Sequence, residues 1–125
     1  MDLLDIVVLG DPIPKGRARS GRGNHYTPAR TVAAENVIRG VMNRDLRGRR
    51  PYDGAVGIDV VFYCATRRPC DGDNLLKLVT DSLQRGAELV GGVILNDAQI
   101  EDWHCRLYRR APDQLPRTEI RVFTL

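Results

Sequence analysis

Two short acidic runs carry the side chains of this 125-residue chain best suited to chemistry. The first is Asp71-Gly72-Asp73-Asn74-Leu75-Leu76-Lys77, with Asp81 one turn further on, and the second is Asn96-Asp97-Ala98-Gln99. A helix starting near Asp73 places positions 73, 77 and 81 on one side, because residues four apart stack along a helix face. Leu75, Leu76, Val79 and Leu83 form its apolar back, and Asp73 or Asn74 is expected to cap it. With Asp71 ahead of the cap and Asp97 returning on a later segment, up to four carboxylates can converge beside one ammonium. Gathered like charges repel, and a chain tolerates them mainly where a divalent cation binds. Asp71, Asp73 and Asp97 are therefore the expected ligands of magnesium, with manganese as a substitute. Asp81 is a weaker candidate ligand or a partner behind the others.

Hydrolysis of a phosphodiester needs an activated water, neutralised phosphoryl oxygens and a stabilised leaving oxygen, all of which carboxylate-held magnesium supplies. Lys77, one turn from Asp73, is placed to bind the scissile phosphate or to offset developing negative charge. The plain alternative gives each residue only a local role, in which Asp73 caps, Lys77 pairs with Asp73 or Asp81, and Asp97 makes a turn. Any one of these is ordinary, but their coincidence in one short stretch favours a site.

The elements that must hold these groups follow from patterning. Residues 3–9 are apolar and branched and stop at Gly10-Asp11-Pro12, which predicts a buried first strand. Residues 12–26 form a basic arm in which Lys15, Arg17, Arg19 and Arg22 alternate with glycines and prolines, expected to lack regular structure and to lie along phosphates. Thr27-Pro28 reads as a cap followed by proline at the first helical position. Val32, Ala33, Val37, Ile38 and Val41 then recur at helical spacing as far as Leu46-Arg47-Gly48. Residues 51–54 are a turn, and residues 55–64 alternate as a strand with Val56, Ile58, Val60 and Phe62 on one side. Arg67 and Arg68 precede the first acidic run, where they would hold a phosphate against a bound metal.

The second helix is expected from about Asn74 to Gln84 or Ala87. Gly91-Gly92 turns the chain into Val93-Ile94-Leu95, which delivers Asp97. Residues 100–109 and 117–123 finish the chain as two strands joined across the 112–116 loop. Trp103, Cys105 and Leu107 should share one face of the first, with His104, Arg106 and Tyr108 on the other.

Composition narrows the class. With 42% hydrophobic and 28% charged residues, the chain has enough material for one soluble core, and its length makes a second unexpected. The net charge of +3 mildly favours an anionic partner. Of the 19 lysines and arginines only Lys15 and Lys77 are lysines, and both fall inside the motifs above. Asp2 and Asp5 interrupt the N-terminal apolar run, so neither a signal peptide nor a membrane span is expected, and a cytoplasmic location follows. Cys64, Cys70 and Cys105 make neither a disulfide framework nor a C-x-x-C pair; zinc held by Cys70 with His104 and Cys105 is disfavoured against plain thiols.

Two other motifs fit poorly. Leu75-Leu76 break the alternate ligand pattern of a calcium loop, and no closing glutamate follows. An Asp-x-Asp phosphatase of the haloacid dehalogenase type would need a buried strand before Asp71 and a longer chain. The run Asp71-Gly72-Asp73-Asn74-Leu75-Leu76-Lys77 with Asp81 and Leu83 resembles instead the RusA-type endodeoxyribonucleases, Holliday junction resolvases common in phages and prophages. Asn96-Asp97-Ala98-Gln99-Ile100 is similar to that family's second acidic motif, and Pro14-Lys15-Gly16-Arg17-Ala18-Arg19 with Tyr26-Thr27-Pro28 to its basic loop. Asn96 departs from members carrying a second aspartate, so position 96 is not expected to be an essential ligand. The resemblance implies that Asp71, Asp73 and Asp97 bind magnesium, that Lys77 is catalytic and that a homodimer acts on four-way DNA junctions.

The expected protein is thus α+β, a small mixed sheet packed with two helices in one domain. Residue chemistry alone reaches a magnesium nuclease, with a phosphatase or a DNA-binding module as alternatives; junction specificity enters only with the resemblance.

Overall fold

Residues 55–64 become β4 (Val56–Cys64), a strand with neighbours on both edges. β6 (Arg117–Thr124) lies antiparallel on one side and β5 (Ile100–Arg109) parallel on the other. β1 (Asp2–Leu9) pairs antiparallel with β6, so the mixed sheet has the order β1-β6-β4-β5. The two last strands, though joined across the 112–116 loop, are separated in space by β4. Parallel neighbours need a crossover. Here residues 65–99 make it, so both acidic motifs lie in one connection, which contains α2 (Gly72–Leu83) and a 3-10 turn (Asp97–Gln99).

The structure is a computed structural model that describes residues 1–16, 19–21, 24–26, 28–65, 71–86, 91–109 and 115–125, with backbone alone at 19–21 and 24–26. One face of the sheet carries the core. Leu4, Ile6 and Val8 of β1, Ile58, Val60 and Phe62 of β4, and Ile120 and Val122 of β6 meet Leu75, Leu78, Val79 and Leu83 of α2 and the buried stripe of α1 (Ala29–Leu46). On the other face Tyr63 stacks on Tyr108 at 5.3 Å, and the Arg117 guanidinium lies 3.9 Å from the Tyr63 ring.

Several local expectations change in the fold. β1 is an edge strand and buries one side only, leaving Val7 and Leu9 exposed. The basic arm is not wholly irregular: β2 (Arg19–Gly21) and β3 (Asn24–Tyr26) pair antiparallel, with Gly21 opposite Asn24. In α1 the buried stripe runs through Thr31, Ile38, Met42 and Leu46, with Ala34, Glu35 and Val41 half-buried, while Val32 and Val37 are exposed. The stripe contains polar members because Thr31 Oγ1 accepts the Gly16 N–H and Glu35 pairs with Lys15. Pro28 is the cap position, its carbonyl accepting the N–H groups of Thr31 and Val32; Thr27 lies outside the described residues.

α2 starts at Gly72, two residues before the expected Asn74, with Asp71 rather than Asp73 or Asn74 at the cap position and no side-chain cap bond, and it stops at Leu83. It stops because residues 93–94 pair with its end: Val93 N–H donates to the Leu83 carbonyl at 2.9 Å and Arg85 N–H to the Ile94 carbonyl at 2.9 Å. That crossing needs glycine at 92, whose φ is 89° and where a Cβ would come within 2.5 Å of the Arg85 nitrogen. On β5, Trp103 and Cys105 share the helix-side face with Leu107, as expected, yet stay exposed because β5 is the sheet's edge.

Candidate active site

Asp97 is delivered by a capping box. The Asn96 side chain accepts the Ala98 N–H at 2.8 Å, and the Gln99 side-chain Oε1 accepts the N–H groups of Leu95 and Asn96 at 2.8 and 2.9 Å. The Gln99 amide in turn donates to the carbonyls of Tyr52 and Gly54 at 2.7 and 2.9 Å, pinning the 3-10 turn to the turn at 51–54. Asn96 is thereby a cap. Its Oδ1 is committed to backbone.

Along α2, positions 73, 77 and 81 do share a face, and Lys77 is its pivot. The Lys77 ammonium lies 3.1 Å from Asp81 Oδ1 and 3.7 Å from Asp97 Oδ2. The other Asp81 oxygen takes Lys15 Nζ at 2.7 Å, and Lys15 also reaches Glu35 Oε1 at 3.1 Å. Charges therefore alternate from α1 through α2 to the 3-10 turn, in the order Glu35, Lys15, Asp81, Lys77, Asp97. Arg39 adds a hydrogen bond to the Asp81 carbonyl at 3.0 Å. With both oxygens of Asp81 holding ammonium groups, its place in this chain of charges is as a holder of lysines.

Burial pushes the Asp81 carboxyl up, but hydrogen bonds from Lys15 and Lys77 outweigh it and leave the group below its ordinary 3.8. Burial likewise pulls the Lys15 ammonium down, and its hydrogen bonds to Asp81 and Glu35 leave it above 10.5. The signs differ in consequence. A carboxyl depressed on folding stabilises the protein above its unfolded pKa and loses that contribution as pH falls through the folded value. The raised ammonium contributes fully below 10.5 and loses its share as pH rises through its folded value. Between about pH 5 and pH 2 the wild type should therefore lose more thermal stability than Asp81→Asn. Parallel melting curves for the two proteins over that range would refute the assignment.

Asp71 and Asp73 are exposed at the first turn of α2. They sit toward the end of β5 away from Asp97: a Cβ on Gly72 would lie 3.9 Å from Leu107. Burial pushes the Cys105 thiol up, and the Asp73 and Asp59 carboxylates push it further. Among the described residues no three histidine, cysteine or acidic side chains gather closely enough to hold an ion between them. The expected four-carboxylate cluster is instead extended along the α2 face, with Lys77 between its ends. An accessible all-oxygen donor set of this kind still fits magnesium, which takes one or two carboxylates and keeps several waters. Of the expected DNA contacts, Arg17, Arg22, Arg67 and Arg68 lie outside the described residues, as does Cys70, and only the backbone of Arg19 is described. Lys15 is described, and its ammonium is engaged with carboxylates.

A model of the endodeoxyribonuclease RusA family matches residues 10–123, nearly the whole chain and both acidic motifs. The chain belongs to the RusA endodeoxyribonuclease family. It is accordingly an enzyme of the Holliday junction resolvase class, acting on branched DNA. None of the curated proteins compared with it matches. Within this RusA-type chain the residues that hold the candidate site together and that sequence reasoning missed are Glu35 and Gln99. Gln99 had a signal, since Asn96-x-x-Gln99 is a capping-box pattern. Glu35 had a weaker one, an acid on the stripe that continues through Ile38 and Met42.

Proposed function

We propose that this enzyme is magnesium-dependent and resolves four-way junctions by paired cuts, working as a homodimer in the cytoplasm. The observation that carries the reading is Lys77, held by Asp81 and lying 3.7 Å from Asp97 on the helix that also bears Asp71 and Asp73. Of Asp71 and Asp73 at one end of the α2 face and Asp97 at the other, one or two at a time would hold the metal, which when bound would polarise the phosphoryl group and activate water. Lys77 places its positive charge beside the acidic residues, where it can draw in the scissile phosphate and offset charge on the leaving oxygen. Its side chain is about half exposed, so it can change partners from carboxylate to phosphate. Arg17, Arg19, Arg22, Arg67 and Arg68 would hold the flanking backbone without reading bases. No helix among the described residues is long and apolar enough to cross a membrane.

Twofold symmetry supports the dimer, since two identical sites match the two equivalent strands of a junction. The test compares a four-way junction with a linear duplex of the same arms, with magnesium and with a chelator, alongside a native mass. Paired cuts confined to the junction, lost on chelation, from a species of twice 14.0 kDa are expected. Equal cutting of the duplex, cutting in chelator, or resolution by a monomer would each refute the corresponding part.

A further inference from the structure

We propose that Lys15 is a positioning residue, which sets Lys77 for the reaction by occupying Asp81, and that it is not a contact to DNA phosphate. The inference rests on the function proposed above for Lys77. Lys15 is fixed from several directions. Its backbone N–H donates to the Asn74 carbonyl in the first turn of α2 at 2.9 Å, and its ammonium spans Asp81 at 2.7 Å and Glu35 at 3.1 Å. The next residue is tied as well, with Gly16 N–H donating to Thr31 Oγ1 at 2.9 Å. A Cβ at Gly16 would lie 2.8 Å from that oxygen, so only glycine lets the arm approach α1 this closely. The Lys15 side chain is 28% exposed against 53% for Lys77. Of the two lysines in the chain, one is clamped and the other is free to meet substrate.

The consequence lies in how Asp81 divides its charge. With Lys15 on one oxygen, Asp81 is largely neutralised and offers Lys77 a single oxygen, a hold weak enough for a phosphate to compete. Without Lys15 the whole carboxylate is available to Lys77 and can draw the ammonium away from Asp97 and from the phosphate. Charge in the arm is then a means of docking it on both helices at once, and the arginines of the arm are left to meet DNA.

The test uses the full-length protein, four-way junction and magnesium. Lys15→Met should lower single-turnover kcat by about 10²-fold, the loss a misplacement of about 1 Å produces. Junction affinity and the salt dependence of binding should stay unchanged. A phosphate contact gives the reverse pattern: unchanged kcat, weaker binding and a log–log salt slope reduced by about one. In an Asp81→Asn background Lys15→Met should cost nothing further, since both act through the same carboxylate. If Lys15→Met does not fold, Glu35→Gln decides. It leaves Lys15 with Asp81 as its remaining carboxylate partner, so kcat and binding should both hold or kcat should rise, whereas freeing a phosphate-binding lysine would tighten binding at constant kcat. A readout independent of cleavage separates this inference from the proposed reaction. Dimethylation with labelled formaldehyde marks only the two lysines and the α-amine, so the Lys77 methyl signal can be followed in wild type and in Lys15→Met. A shift of that signal supports the link even if no junction is cut. An unmoved Lys77 signal, or the binding pattern of a phosphate contact, would overturn the proposal.

Discussion

Asp73→Asn should remove junction cleavage, by about 10³-fold or more, equivalent to roughly 4 kcal/mol of transition-state stabilisation. The neutral amide is a poor ligand for a hard cation, and Asp73 is one of the three carboxylates proposed to hold it. The fold should be almost indifferent. Asp73 is exposed in the first turn of α2 and is not the cap residue, which is Asp71. A negative charge near a helix N-terminus is worth about 0.3–1 kcal/mol, and relief of repulsion from Asp71 offsets part of its loss. Metal-free stability should accordingly move by no more than about 1 kcal/mol in either direction. The upward shift in melting temperature that magnesium gives the wild type should shrink, because a ligand stabilises in proportion to its binding. Metal-free junction affinity should hold or rise, with one fewer negative charge facing the phosphates. A clearly destabilised Asp73→Asn that still cleaves once folded would place the active site elsewhere.

Lys77→Met should lower kcat by about 10²–10³-fold, the range seen when one group that offsets transition-state charge is removed. Stability should change little, since the side chain is 53% exposed and exposed ion pairs contribute about 0–1 kcal/mol. Lys77→Arg should restore little of the rate. A guanidinium is a planar fork with different reach, and it does not reproduce the compact point charge that the ammonium places between Asp81 and Asp97. Single-turnover rates with melting curves on the same samples decide the matter. Full cleavage by Lys77→Met would reduce Lys77 to a surface partner of Asp81, and the reading of the site would fail with it.

Within single segments the sequence was informative on its own. The apolar back of α2, the alternation along β4 and the face shared by positions 73, 77 and 81 were all legible there. Each is a local matter: helix and strand periods follow from the backbone, so a few consecutive residues report them. Placement of β5 beside β4, with β6 on the other side, was not legible, because strand pairing depends on contacts far apart in sequence. For the same reason the stripe of α1 was misjudged, since Thr31 is buried and Glu35 half-buried in ways that follow only once Gly16 and Lys15 are known to meet them. The role of Lys15 shows the limit most directly. A lysine in a basic arm has no sequence mark that distinguishes a phosphate from a carboxylate as its partner. Its ammonium bonds to either, and only the packing of the arm across α1 and α2 brought Asp81 and Glu35 within reach.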